Sequence, residues 1–235
     1  MSSSSARPLI IAIDGPSGAG KGTVARTLAL RLGYTHVDTG AMYRAVAWKA
    51  GHVGVDLADE DALTAIADAA EFELGAEVRV DGHDITRAIR TPEMDAAAAA
   101  VARHPRVRAS LVRRQRDYAA RGGLVMEGRD IGTVVFPDAD VKVFLDASAE
   151  ERARRRANDA SHASSQGQEV SQVATALAER DRQDSTRKTS PLAMAPDAVR
   201  IDTTGMPIAE VVERVLDLIR LKSPDLEIAQ APSQA

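Results

Sequence analysis

Cysteine is absent from this 235-residue chain, and aromatic residues make up only 3% of it. Without cysteine there can be no disulfide bond, no thiolate metal ligand and no cysteine nucleophile. The scarcity of aromatic residues predicts a core of aliphatic side chains, which the 44% hydrophobic content can supply. No apolar run approaches the roughly 18 residues of a membrane-spanning helix, so we expect no membrane partner.

The chain also lacks a strong excess of either charge. It has 30 Lys and Arg against 34 Asp and Glu, for a net charge of −4. This balance argues against a nucleic-acid partner, because nucleic-acid-binding domains are usually basic. Residues 1–5 are polar and precede no apolar segment, so they do not read as a secretory signal and we expect a cytoplasmic location. The five histidines are scattered without the spacing of metal ligands.

A glycine-rich loop is the strongest chemical signal in the sequence. An apolar run at residues 9–13 predicts a strand before the loop, and the helical spacing of apolar residues at 24–32 predicts a helix after it. Such a loop binds phosphate through backbone N–H groups, the helix N-terminus and a lysine. The predicted ATP-binding loop consists of Gly15, Pro16, Ser17, Gly18, Ala19, Gly20, Lys21, Gly22 and Thr23.

Two residues at the end of this loop have chemical roles of their own. Lys21 supplies a mobile positive charge for the β- and γ-phosphates. Gly22 stands where the phosphate-loop pattern expects Ser or Thr, and Thr23 follows it. We expect Mg²⁺ to be held mostly by ATP phosphates and water, with Thr23 as a protein ligand.

The pattern of apolar runs predicts one domain over residues 8–222, between disordered segments at 1–7 and 223–235. Strand-like runs alternate with helical patterns, which predicts an α/β fold with a doubly wound, five-stranded parallel sheet. Short alternating segments near residues 71–80 interrupt this frame and are followed by Asp81-Gly82. They predict a small antiparallel β insertion.

Arginines lie beside most of the predicted strand ends and loops. A kinase acting on a phosphorylated acceptor must neutralise two polyanions, and the planar guanidinium binds phosphate in bidentate fashion while remaining charged. The candidates for this role are Arg44, Arg108, Arg129, Arg180 and Arg187, together with Arg152, Arg155 and Arg156 on one predicted helix.

Five segments together resemble bacterial cytidylate kinases, which are nucleoside-monophosphate kinases of the P-loop type. The resemblance extends over residues 9–221, and its most specific motif is Gly-Arg-Asp-Ile-Gly-Thr at 128–133. It implies ATP, CMP and dCMP as small-molecule substrates, an enlarged acceptor-binding insertion at about 71–100, and a short lid at about 157–169. The segments are residues 15–23, 38–44, 105–108, 128–137 and 179–187.

The resemblance also implies roles for individual residues. Arg44, Arg129 and Arg187 would bind the CMP phosphate, Arg108 and Asp130 the cytosine ring, and Arg180 and Asp184 the ribose. Arg152 and Arg155 would lie near the transferred phosphate. Asp38 and Thr39 complete the substrate set, while the catalytic set is Lys21, Arg129, Asp130, Arg155 and Arg187. Ala99 departs from the family, which often has a base-contacting serine at this position.

Three other functions remain open at this stage. The first is a kinase for a different small acceptor, such as an adenylate- or shikimate-type enzyme. The second is a GTPase switch, although the chain has no Asn-Lys-x-Asp guanine-reading motif. The third is an ATP-dependent RNA-binding protein that uses the arginine-rich helices, which the acidic net charge disfavours. The absence of a long exposed apolar heptad pattern predicts a monomer.

Overall fold

A computed structural model describes residues 7–159 and 170–229. The order of elements is β1 (Ile10–Asp14), α1 (Lys21–Leu32), β2 (Thr35–Asp38), α2 (Thr39–Val53), α3 (Glu60–Ala69), β3 (Phe72–Leu74), β4 (Val78–Val80), β5 (His83–Asp84), α4 (Pro92–Val101), α5 (Pro105–Asp117), β6 (Leu124–Gly128), β7 (Val141–Asp146), α6 (Ala149–Ala157), α7 (Val170–Thr186), β8 (Val199–Asp202) and α8 (Ile208–Lys222). No helix in this part of the chain is long and apolar enough to cross a bilayer.

Five strands form the central parallel sheet, in the order β2-β6-β1-β7-β8. Along β1, Ile11 and Ile13 pack with α1 and α8, whereas Ala12 joins the cluster on the opposite face. Successive strand residues point to opposite faces, so this alternation requires helices on both sides of the sheet. The predicted doubly wound α/β fold is confirmed. It places the residue after β1 near the middle of the sheet's carboxyl edge.

The predicted β insertion is an antiparallel sheet in the order β3-β4-β5. Its third strand spans only two residues, which is too short for a hydrophobic pattern to reveal. Val80, Ile85 and Ile89 of this unit pack with Ala41 and Ala45 of α2. The insertion is therefore fixed to the helix that begins at the carboxyl end of β2.

Two segments differ from expectation. The helical pattern of residues 170–182 predicts a helix that ends at Arg182, whereas α7 continues to Thr186 and so brings the Asp184 side chain into the fold. One turn of wide, π-type helix at Ile131–Val135 follows β6 without a sequence signal. At the end of the described residues, Ala229 donates to the Arg31 carbonyl of α1 at 2.9 Å and accepts from the Arg31 Nε at 3.0 Å.

Several predicted segments fall outside the described residues. These are residues 1–6, most of the predicted lid at 160–169, and the last six residues, 230–235. The domain, insertion and lid boundaries stay predictions.

Candidate active site

A cleft of about 580 Å³ opens at the carboxyl edge of the parallel sheet. Ten cationic and six acidic side chains line it, so its charge is positive in a chain whose net charge is −4. Ligands of open α/β sheets bind at this edge. The charged lining residues are Lys21, Arg26, Arg44, Arg90, Arg108, Arg129, Arg155, Arg156, Arg180 and Arg187, with Asp38, Asp95, Glu127, Asp130, Asp159 and Asp184.

The glycine-rich loop forms one wall of the cleft. Gly15 has a φ of +146°, and a Cβ there would lie 2.0 Å from the Leu145 carbonyl oxygen, so only glycine lets the loop pass β7. Gly20, at φ +90°, precedes α1 and provides no side-chain cap to that helix. The first N–H groups of α1 therefore stay available to an anion, as a phosphate-binding loop requires.

Lys21 lies at the base of this loop, with only 7% of its surface exposed. Its Nζ donates to the Pro16 carbonyl at 2.7 Å. Burial, helped by the neighbouring Arg129 guanidinium, lowers the pKa of Lys21 to about 7, against the opposing effect of Glu127. An anion in the loop would restore the charged form, since an adjacent negative charge favours the ammonium group.

Asp38, Thr39 and Arg44 are positioned together where β2 meets α2. Asp38 caps α2 by accepting from the Ala41 N–H at 3.0 Å, and it accepts from Arg44 Nη2 at 2.8 Å. Burial alone would raise the pKa of Asp38, but the Arg44 guanidinium, the Ala41 N–H and His36 together lower it. The Thr39 hydroxyl donates to the Glu127 carbonyl at 2.7 Å, so its proton is already used in joining α2 to β6.

Arg108 and Asp130, the two residues expected from the family resemblance to contact the cytosine ring, form a buried ion pair. Arg108 is 2% exposed and Asp130 is 6% exposed, and Arg108 Nη2 donates to Asp130 Oδ2. The Arg108 guanidinium also lies 5.5 Å from the centre of the Tyr43 ring. Burial raises the pKa of Tyr43 to about 12, which keeps this ring neutral beneath the guanidinium. Tyr43 had no role predicted from the sequence.

Asp184 holds two of the predicted phosphate-binding arginines. Its Oδ2 accepts from Arg129 Nε at 2.9 Å, and its Oδ1 lies 3.6 Å from Arg187 Nη1. Burial would raise the pKa of Asp184, but Arg129 and other nearby guanidinium groups lower it overall. Arg187 also lies 3.7 Å from Asp130, which connects this group with the Arg108–Asp130 pair.

Several guanidinium N–H groups in the cleft lack an acceptor. Within the part of the chain that the structure describes, four buried guanidinium nitrogens have no hydrogen-bond partner: Arg44 Nε, Arg108 Nε, Arg180 Nε and Arg187 Nη2. Leaving buried donors unpaired costs free energy, so native proteins seldom contain several together. Their convergence on one cleft indicates a ligand rich in acceptor oxygens.

Three of the four arginines of α6 were candidates from the sequence, and they have different environments. Arg152 donates to the Ser17 carbonyl at 3.2 Å and pairs with Asp181. Arg155 donates to the hydroxyl and carbonyl oxygens of Thr203, at 2.9 and 2.6 Å. Arg156, which had no specific role in the prediction, pairs with Asp95 of α4 in the cleft.

Asp14 is a further buried carboxylate that sequence reasoning missed. It is the last residue of β1, and it accepts from the N–H groups of Ile131 and Gly132 at 2.8 and 2.7 Å. These two bonds join the segment carrying Arg129 and Asp130 to the strand that leads into the phosphate loop. The sequence signal that could have identified Asp14 is the position of a carboxylate at the carboxyl end of the predicted first strand, where ligands of α/β sheets bind.

Asp14 predicts a specific pH dependence of stability. Burial raises its pKa to about 6, against the lowering effect of its two backbone N–H donors. A carboxyl whose folded pKa exceeds its unfolded value of 3.8 contributes stability at low pH, and this stability is lost as the pH rises through 6. Between pH 5 and 7.5, the unfolding free energy should fall by about 1 kcal/mol more in the native chain than in D14N.

Urea unfolding of both proteins at the two pH values measures this difference. D225N, which removes an exposed carboxylate, is the matched control and should follow the native chain. Equal pH responses in D14N and the native chain would contradict the assignment.

The cleft offers oxygen donors rather than a protein cage for a metal ion. Among residues 7–159 and 170–229 no three metal-ligating side chains come together. Thr23 lines the cleft, as does Glu127, whose Oε1 lies 3.1 Å from the position a Gly22 Cβ would take. Mg²⁺ commonly binds to one or two protein oxygens together with substrate phosphates and water. The residues therefore fit Mg²⁺ that enters with a nucleotide.

Comparison with known proteins adds an independent finding. A family model described as cytidylate kinase matches residues 11–221. Cytidylate kinase of Solibacter usitatus is 49% identical over 226 residues, which cover 94% of this chain and 96% of that protein. Cytidylate kinase of Geobacillus kaustophilus is also 49% identical, over 91% of this chain and 97% of its own length.

Some relatives are longer. The bifunctional pantoate ligase/cytidylate kinase of Prochlorococcus marinus is 49% identical over 93% of this chain, and the match covers 45% of that protein. The chain thus spans about half the length of these bifunctional relatives and nearly the whole length of the single-function ones.

Proposed function

The chain belongs to the cytidylate kinase family, and we propose that it transfers the γ-phosphoryl group of ATP to CMP and dCMP. The products are ADP with CDP or dCDP. The observation that carries this proposal is the presence, in one cleft, of a phosphate loop and a buried Arg108–Asp130 pair.

Cytosine is the base that this pair suits. Its N4 amino group donates, whereas its N3 and O2 atoms accept. Asp130 would accept from the amino group, and the Arg108 Nε–H, which has no partner in the described structure, would donate to a ring acceptor. Uracil carries a carbonyl in place of the amino group, so it would leave a buried carboxylate facing an acceptor. Such mismatches produce strong discrimination.

The remaining arginines suit the acceptor's phosphate and ribose. Arg44, Arg129 and Arg187 would bind the CMP phosphate, and Arg180 with Asp184 would hold the ribose. Each of these residues lines the same cleft. Since a guanidinium stays charged even where it is partly buried, it can neutralise the phosphate without taking a proton.

The proposed chemistry is an in-line transfer without a dedicated general base. The acceptor phosphate oxygen is already anionic near neutral pH, so positioning and charge neutralisation carry the rate. Lys21 would bind the transferring phosphoryl group, while Arg129 and Arg187 hold the attacking oxygen in line. Arg155, fixed by Thr203, would lie on the ATP side near Gly20. Mg²⁺ would neutralise charge on the ATP phosphates, with Thr23 as a ligand.

Phosphorus NMR of a reaction with Mg·ATP and CMP tests the transfer itself. Equal amounts of ADP and CDP, with negligible inorganic phosphate, are expected. Release of inorganic phosphate without CDP would identify a nucleoside triphosphatase instead and contradict the proposal.

Lys21 predicts that ATP binding takes up a proton above neutral pH. With a pKa of about 7 in the free protein, Lys21 is mostly neutral at pH 8, and the ATP phosphates would return it to the charged form. Binding should therefore take up close to one proton at pH 8 and little at pH 6.

Calorimetric titration in two buffers of different ionisation enthalpy measures this uptake. K21M retains the bulk of the side chain without the amine, so it should abolish the excess uptake at pH 8. Identical uptake by K21M and the native chain would refute the role of Lys21.

The family membership favours a cytidylate kinase over the three other functions weighed from the sequence. The monomeric state, the cytoplasmic location and the absence of a nucleic-acid partner stay predictions. Sedimentation velocity at two protein concentrations tests the first of these, and an unchanged sedimentation coefficient at the monomer mass is expected.

A further inference from the structure

Asp95, which belongs to none of the sequence motifs, lies at the centre of a cluster of arginines. It belongs to α4, in the acceptor insertion, and its side chain is 13% exposed. Arg156 of α6 donates to its Oδ2, Arg180 Nη1 of α7 lies 3.0 Å from its Oδ1, and Arg44 Nη1 of α2 lies 3.9 Å from the same oxygen. One carboxylate thus joins arginines from three other helices.

Without a nearby negative charge, the three guanidinium groups would repel one another and destabilise the fold. Its three guanidinium groups are each between 15% and 19% exposed, so water screens their mutual repulsion only in part. Burial and the nearby Arg180 guanidinium lower the pKa of Arg156, whereas the Asp95 carboxylate raises it. Asp95 therefore offsets repulsion that the fold imposes on these arginines.

Asp95 does not satisfy the cluster completely. Arg44 Nε and Arg180 Nε are buried N–H donors without a hydrogen-bond partner among the described residues, and both side chains line the cleft. A phosphate that binds in the cleft could therefore accept from these two N–H donors, but it would lie close to the negatively charged Asp95 carboxylate. The same guanidinium groups would have to serve both anions.

We propose that Asp95 is an internal anion that sets the affinity of the site for the acceptor's phosphate group. In the free protein it holds Arg44, Arg156 and Arg180 at one point of the cleft, and it weakens phosphate binding by sharing these arginines with the ligand. The inference rests on the proposed function in taking the phosphate to be that of the acceptor nucleotide. It makes Asp95 a specificity-determining and positioning residue rather than a catalytic one.

The variant D95N removes the negative charge and keeps the size of the side chain. Calorimetric titration should show about tenfold tighter binding of CMP, because one repulsive charge near the phosphate is lost. Inorganic phosphate, used alone as a second probe, should also gain affinity. Cytidine has no phosphate group, so its affinity should not change.

Two further variants separate charge from packing. D95E keeps the charge, so we expect its CMP affinity to stay within about threefold of the native value. D197N removes the partner of Lys142, outside the cleft, and should leave CMP affinity unchanged. D95A provides the same test should D95N fail to fold.

Unchanged or weaker binding of CMP and phosphate by D95N would overturn the inference, as would an equal gain for cytidine. If phosphate binds more tightly to D95N while CMP is not a ligand of the native chain, the inference stands and the proposed substrate fails. The two proposals can therefore fail separately.

Discussion

Replacing Lys21 by alanine should lower kcat for CMP phosphorylation about a thousandfold. The lysine is the cation at the base of the phosphate loop, and removing a charge-stabilising group from a transition state typically costs a factor of about 10² to 10³. Lys21 also holds the loop through Pro16, so the loss should lie at the upper end. Steady-state kinetics with Mg·ATP and CMP measure it.

The fold should survive this change. Burial lowers the pKa of Lys21, which means that the site does not stabilise its charge before ligand arrives. K21M, which fills the same space, should retain the native unfolding midpoint and lose activity as completely as K21A. CMP affinity should stay within about threefold in both, since we propose that Lys21 binds the phosphates of the donor, ATP. Normal turnover in either variant would contradict the proposed catalysis.

Replacing Asp130 by asparagine should nearly abolish the preference for CMP over UMP. On the proposed function, the buried carboxylate of the native chain would accept from the cytosine amino group, whereas an asparagine amide can also donate to the uracil carbonyl. We expect kcat/KM for CMP to fall by about 10² to 10³ and the value for UMP to rise, because a buried polar mismatch is removed for one base and introduced for the other.

Asp130 also neutralises Arg108, so stability must be followed in the same experiment. Removing one partner of a buried ion pair costs about 3 to 5 kcal/mol, although asparagine retains an acceptor for Arg108. Unchanged Mg·ATP affinity would show that the donor side of the cleft is intact. D130A should lose CMP activity without gaining UMP activity. A native CMP/UMP ratio in D130N would refute the base-reading role.

The sheet and the phosphate loop could be predicted because their signals are local. The apolar run before Gly15 and the helical spacing at 24–32 mark β1 and α1, and in the structure α1 extends over Lys21–Leu32. Strands β6 (Leu124–Gly128) and β7 (Val141–Asp146) likewise begin with compact, mostly apolar runs, at residues 124–126 and 141–145. Backbone geometry at these places follows from residue type and short-range pattern.

Long-range charge pairing could not be predicted in the same way. Asp95 lies in an alanine-rich helix and acquires its partners from helices 51, 61 and 85 residues away in sequence. Asp14 acquires its N–H donors 117 and 118 residues away. Arg155 and Arg156 are adjacent in sequence, yet they bind different partners: Arg155 donates to Thr203, and Arg156 pairs with Asp95. Such choices are decided by packing of the whole fold.

A coupled assay of ADP release with Mg·ATP, run in parallel with CMP, dCMP, UMP, AMP, GMP and shikimate, separates CMP phosphorylation from the phosphorylation of other acceptors. We expect high kcat/KM for CMP and dCMP, weak activity with UMP, and background rates with the other acceptors. Efficient phosphorylation of AMP, GMP or shikimate, with CMP at background, would contradict the assignment of the Arg108–Asp130 pair to cytosine and of this chain to CMP phosphorylation.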